Sequence, residues 1–251
     1  LAIKALKVNK MTDFQRPTIV LFDMDGTTVR HVNPVFLSIL EFLDNTIYGM
    51  AKIIRGRKKE ITDFSENPAA PRGLLVHRAL HKIRRKPVDQ IVQPCPGIYL
   101  LLNLMKRHDI PMGVVSNSLG KGYGHDILKS FHLTDYFKAT IFREDIQRSK
   151  PHPDPILRAL RAIKEEPTEE DVVWYIGDRH KDIVATIEAD KLMPCKIIPF
   201  AYGLNAAMAV LQNNIGNDHI IMNYADFFEE IKPLIENGTD SNQRSASKLA
   251  S

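Results

Sequence analysis

Four short apolar runs punctuate the chain, at residues 18–22, 112–115, 172–176 and 196–200, and each stops at a polar or glycine-bearing turn. Unbroken hydrophobicity over four or five residues rich in Val, Ile and aromatics predicts strands buried on both faces. The runs end at Asp23, at Ser116-Asn117-Ser118, at Gly177-Asp178 and near Tyr202-Gly203. Between them, apolar residues recur at helical spacing over 99–107, 124–131, 155–163 and 183–189. Strand and helix alternate, which predicts an α/β fold: a doubly wound, Rossmann-like parallel sheet with helices on both faces. Ligands bind such sheets beyond the carboxyl ends of the strands.

The alternation lapses over residues 31–93, where 34–50 and 74–84 read as helices joined by polar, proline-containing linkers. This predicts a helical cap inserted after the first strand, able to cover the strand ends as a lid. The core then comprises 11–30 and 94–237. Residues 1–10 lack the apolar centre of a secretory signal, and Met11 reads as a natural start. The tail 238–251, rich in Ser, Asn and Asp, has little to bury and reads, like 1–10, as disordered or foreign to the natural chain.

Composition narrows the class. With 44% hydrophobic and 25% charged residues the chain can bury a core, which excludes disorder of the whole. A net charge of +4 is spread among acidic residues, and the basic stretches 54–59 and 84–86 read as solvated helix ends, so no nucleic-acid partner is inferred. No apolar run reaches the roughly 20 residues of a membrane span. Cys95 and Cys195 lie far apart without metal-type spacing, which suits a reducing compartment, and cytoplasmic residence is expected. The histidines show no zinc arrangement.

The sharpest chemical signal is Asp23-Met24-Asp25-Gly26-Thr27, directly after the first buried run. Two carboxylates two residues apart on a tight loop can divide labour, one attacking a phosphoryl group and the other moving protons. An Asx-rich turn is the bland alternative. Such chemistry needs cations to offset the repulsion between carboxylate and phosphate, and Asp178 and Asp182 at another strand end add oxygen ligands suited to magnesium. Taken singly, Asp178 and Asp182 read as helix caps, Lys150 as an exposed lysine and Ser116 as a turn serine. Together, all fall at strand ends or adjacent loops of one expected sheet.

These residues, in this order, resemble the four motifs of the haloacid dehalogenase-like hydrolase superfamily, over about residues 18–203. Cys95-Pro96-Gly97 followed by Leu101, Leu102 and Leu104 looks like the segment by which phosphoglycolate phosphatase-like members re-enter the core from a helical cap. The resemblance implies that Asp23 is the nucleophile and Asp25 the general acid/base. It implies that Ser116, Asn117 and Lys150 bind phosphate, and that Asp23, the Asp25 carbonyl and Asp178 hold Mg2+. Thr27 and Asp182 would support the site, Asp182 also by orienting Lys150. Asp25 argues against a true dehalogenase. The implied function is a magnesium-dependent phosphatase acting on a small phosphorylated metabolite such as 2-phosphoglycolate or a sugar phosphate, as a monomer or homodimer. A sugar-phosphate mutase, a phosphonate hydrolase and a noncatalytic binding protein on the same fold are the alternatives. Thr28, Ser118 and Asp190 depart from the family pattern, which commonly has an aliphatic residue, a lysine and a glycine there.

Overall fold

A computed structural model describes residues 14–32, 88–117 and 119–249. Its centre is a six-stranded sheet formed by β1 (Ile19–Asp23), β4 (Met112–Val115), β5 (Phe137–Ile141), β6 (Val172–Gly177), β7 (Lys196–Tyr202) and β8 (Ile220–Ile221). The spatial order is β5-β4-β1-β6-β7-β8, with every pairing parallel. The α-helices among the described residues are α1 (Ile98–Arg107), α2 (Lys121–Ser130), α3 (Asp154–Ile163), α4 (His180–Asp190), α5 (Leu204–Gln212) and α6 (Tyr224–Leu249). The expected doubly wound architecture is present.

Period-two alternation sends β1 into two cores. Val20 and Phe22 pack with Trp174, Phe200, the apolar stripe of α1 and the start of α6. Ile19 and Leu21 pack on the other face with Val173, Tyr175 and the buried sides of α3 and α4. Burial of both faces explains why β1, β4 and β6 read as unbroken apolar runs. The sequence pattern misses β5, whose Lys138 is exposed at the sheet edge, and β8, which is two residues long.

Two short strands, β2 (Val29–His31) and β3 (Val92–Pro94), pair antiparallel, with Val29 opposite Pro94 and His31 opposite Val92. The chain therefore leaves the core and returns to it side by side. The body of the expected cap, 31–93, lies outside the described residues apart from these ends, as do the segment 1–10 and Ser118. The backbone of α6 continues as helix through Leu249, into the tail that composition reads as disordered.

A polar knot fixes the start of β6 to the start of β1. Asp171 accepts from Thr18 Oγ1 at 3.2 Å, Thr168 N at 2.7 Å and Lys164 Nζ at 2.6 Å. Burial pushes its carboxyl up, but the hydrogen bonds from Lys164 and Thr168 outweigh this and hold it below the ordinary range. A carboxyl lowered in the folded state stabilises above its unfolded pKa of about 4, and that contribution is lost on acidification. Asp171→Ala is therefore expected to lower stability by about 1–3 kcal/mol at neutral pH. Urea unfolding at several pH values should show the gap from the unaltered protein closing as pH falls below about 4.

Candidate active site

The register of the sheet assembles the site. Asp23 pairs with Val115 and Phe22 with Ile176, so β1, β4 and β6 end level with one another. Asp23 continues the face of Ile19 and Leu21, Ser116 lies one step beyond β4, and Gly177-Asp178 turns out of β6 into α4. Gly177 is needed there, because a Cβ would stand 2.4 Å from the Cβ of Asp182.

The turn after β1 is held from behind. Thr28 N and Val29 N both donate to Met24 O, and Gly26 N donates to Val29 O at 2.7 Å. Thr28 Oγ1 donates to Asp23 O at 2.7 Å, Tyr224 Oη to Thr27 O at 3.0 Å, and the Cys95 thiol to Gly26 O at 3.6 Å. Thr28 thus has a physical reason for departing from an aliphatic residue: it ties down the carbonyl of Asp23 itself. Asp190 likewise replaces a glycine with a function, since its Oδ1 accepts from Ile197 N at 2.7 Å. Gly26 has φ +91°, and a Cβ on it would lie 2.2 Å from Asp178 Oδ2, so no other residue fits. Burial pushes the Cys95 thiol up to about 12, which leaves it a donor and not a nucleophile.

Lys150 is the hub. Its ammonium, fully buried, contacts Asp23 Oδ1, ion-pairs with Asp182 Oδ1 at 2.7 Å and donates to Tyr175 Oη at 2.7 Å. Its backbone is gripped by Asn117, whose Nδ2 donates to Lys150 O and whose Oδ1 accepts from Lys150 N, both at 3.1 Å. The Asn117 side chain is therefore committed to holding Lys150, leaving its backbone N–H as the group to meet an anion. Asp182 does two jobs at once. Its Oδ2 accepts from Arg179 N at 3.0 Å, as a helix cap should, while Oδ1 faces Lys150. Asp25 accepts from Ser116 Oγ at 3.3 Å and lies 3.9 Å from His31 Nε2. Ser116 Oγ also accepts from Leu119 N at 3.0 Å, which fixes the turn after β4. Thr27 is buried in the turn.

Asp23 and Asp182 meet one buried ammonium, and the carboxyls of Asp23 and Asp178 respond to burial and to the charges around them. Burial drives the Asp23 carboxyl well up; Lys150 opposes this, while Asp182, Asp178 and Asp25 reinforce it. Asp178 is raised to about 6 by burial and then by Asp182, against the pull of Arg179. Lys150 is lowered by burial but raised more by Asp182 and Asp23, so it stays charged. Oxygens of Asp23, Asp178 and Asp182 lie within 4.8 Å of one another, and Asp178 Oδ1 is buried with no partner among the described residues. Asp182 Oδ1 is also buried without a hydrogen bond but is ion-paired with Lys150, and its Oδ2 accepts from Arg179 N, so Asp178 has the oxygen least committed to a charge partner. Excess negative charge with hard oxygen donors fits a divalent cation.

The sequence pattern of haloacid dehalogenase-like hydrolases matches residues 20–191, spanning Asp23, Asp25, Ser116, Asn117, Lys150, Asp178 and Asp182. The chain belongs to that family. Among curated proteins this hydrolase is 24% identical to a phosphoglycolate phosphatase of Photorhabdus laumondii, over 84% of this chain and 91% of that one. It is 26% identical to a pyrophosphatase of Bacillus cereus, over 67% of this chain and 78% of that one. A Had-superfamily hydrolase from Ehrlichia chaffeensis shares its fold, with a TM-score of 0.55, 23% identity and coverage of 88% and 99%.

Within this family member, the residues singled out from the sequence, Asp23, Asp25, Thr27, Ser116, Asn117, Lys150, Asp178 and Asp182, all lie at the carboxyl end of the sheet. Three further residues were not anticipated from sequence: Tyr175, Cys95 and Tyr224. Tyr175 left a signal, since a tyrosine inside a doubly buried strand needs a partner for its hydroxyl. Cys95 and Tyr224 act through single bonds to carbonyls of the loop, which no spacing rule anticipates.

Proposed function

We propose that this hydrolase is a magnesium-dependent phosphatase that moves the phosphoryl group of a small phosphomonoester first onto Asp23 and then onto water. The observation that carries the reading is the Asp23 carboxylate buried against the Lys150 ammonium, two residues before an Asp25 that faces Ser116. In the first step an Asp23 oxygen forms a bond to phosphorus, the bond to the leaving oxygen breaks, and protonated Asp25 supplies its proton. In the second, Asp25 takes a proton from water, which attacks phosphorus and releases Asp23 and inorganic phosphate. Lys150, Ser116 Oγ and the Asn117 N–H would hold the phosphoryl oxygens, and Asp182 would keep Lys150 in line. Asp23, Asp178 and the Asp25 carbonyl would hold the magnesium ion, which when bound neutralises phosphoryl charge.

The names of the curated relatives support a phosphate-bearing substrate, with 2-phosphoglycolate or a sugar phosphate the proposed class. The segment 31–93 is the proposed helical cap, closing over the site. Cytoplasmic residence and a monomeric or homodimeric state belong to the same proposal.

Phosphate release from a panel of small phosphate esters, with and without magnesium, tests the reading. Release is expected, and chelation should reduce it by roughly 100-fold or more, restored by added magnesium. Activity indifferent to chelation would remove the metal from the account. Isomerised ester without free phosphate would instead indicate a mutase.

A further inference from the structure

We propose that Tyr175 is a positioning residue, whose hydroxyl keeps the Lys150 ammonium at the reaction centre while the charge on Asp23 is being consumed; this rests on the phosphatase reading above.

Tyr175 lies on β6, fully buried, on the same face of the sheet as Asp23. Its Oη accepts from Lys150 Nζ at 2.7 Å, and its ring centroid is 5.4 Å from the same nitrogen. An ammonium has three N–H donors and no acceptor. Lys150 donates to Asp23 and Tyr175 and is ion-paired with Asp182 Oδ1 at 2.7 Å, so the ammonium is held by three partners in a dry site.

The three partners differ in what happens to them during the reaction. Asp23 would exchange its carboxylate for an acyl phosphate and back again. Asp182 and Tyr175 take no part in bond making, so they fix the nitrogen at two points throughout. The donor aimed at Asp23 can then turn to the phosphoryl oxygens without the ammonium moving. With Tyr175 Oη removed, the nitrogen has Asp182 alone to hold it and can swing about that contact as Asp23 is modified. A neutral hydroxyl suits this place, because a third carboxylate there would add to an already excessive negative charge. Burial raises the Tyr175 hydroxyl well above its ordinary range, so it remains neutral.

Tyr175→Phe keeps the ring and removes only the oxygen. With p-nitrophenyl phosphate, kcat is expected to fall by roughly 10- to 100-fold while KM changes by less than about threefold, the pattern of an interaction used in the transition state. The second readout does not depend on activity: in protein labelled with 15N-lysine, the Lys150 ammonium should give a protected signal that exchanges faster with solvent in Tyr175→Phe. Unchanged kcat together with an unchanged ammonium signal would overturn the proposal. Should Tyr175→Phe fail to fold, Tyr175→Met, which fills the space without a hydroxyl, carries the same expectation. If the unaltered protein hydrolyses no ester, the phosphatase reading fails, and the ammonium signal still decides whether Tyr175 holds Lys150.

Discussion

Asp23→Asn is expected to lower phosphate release by roughly 10^4-fold or more while leaving the protein folded. The amide has the shape of the carboxylate, and its oxygen can still accept from Lys150, but it is too weak a nucleophile to attack phosphorus. Stability should not suffer. Asp23 sits among Asp182, Asp178 and Asp25, and burial together with those like charges already drives its carboxyl well up. Removing its charge relieves that repulsion. Thermal unfolding of the variant should therefore match or exceed that of the unaltered protein, which separates loss of chemistry from loss of fold.

Lys150→Ala is expected to damage both. The variant should lose activity by roughly 10^3-fold, because among the described residues Lys150 is the cation in ion-pair contact with Asp23. It should also lose stability by about 3–5 kcal/mol at neutral pH, since Asp23 and Asp182 are left buried without their cation. The pH dependence has a definite sign. Carboxyls whose folded pKa is raised above the unfolded value favour the folded state when protonated, so the deficit should be largest at neutral and higher pH and shrink on acidification. Denaturant unfolding from pH 5 to 8 reads this. Lys150→Arg should not restore activity, because a planar, five-donor fork cannot occupy a pocket built for a point charge with three partners.

The difference between what the sequence announces and what the fold supplies is visible at Lys150. Its place in a proline-bounded loop marks it as a candidate, and the buried runs at β1, β4, β6 and β7 place the strand ends where a ligand should sit. Nothing local announces its contacts. Asp23 is 127 positions away, Asn117 is 33 and Tyr175 is 25, and only the register of the sheet brings them together. Asp182 shows a further limit of reading singly. Capping and ion pairing look like competing explanations in the sequence, yet its two oxygens perform one each. The missed edge strand β5 has an equally physical cause: with one face open, Lys138 interrupts the apolar run on which the other strands are recognised.

Thr28 and Asp190 depart from the family pattern in the same physical way. Each replaces an expected residue with a side chain that ties a backbone group, Asp23 O in one case and Ile197 N in the other. Neither touches the carboxylates proposed to do chemistry. Both act on the frame that carries them.

A phosphoryl group that passes through Asp23 can be caught there. Asp25→Asn lacks the base for the second half of the reaction, whereas p-nitrophenyl phosphate, a good leaving group, needs no acid for the first. Mixing the two for a few seconds, quenching in acid and mapping peptides by mass should show a burst of about one nitrophenol per chain and a phosphoryl group on the peptide containing Asp23. Hydrolysis without a burst, or a phosphoryl group found on any other residue, would contradict the account.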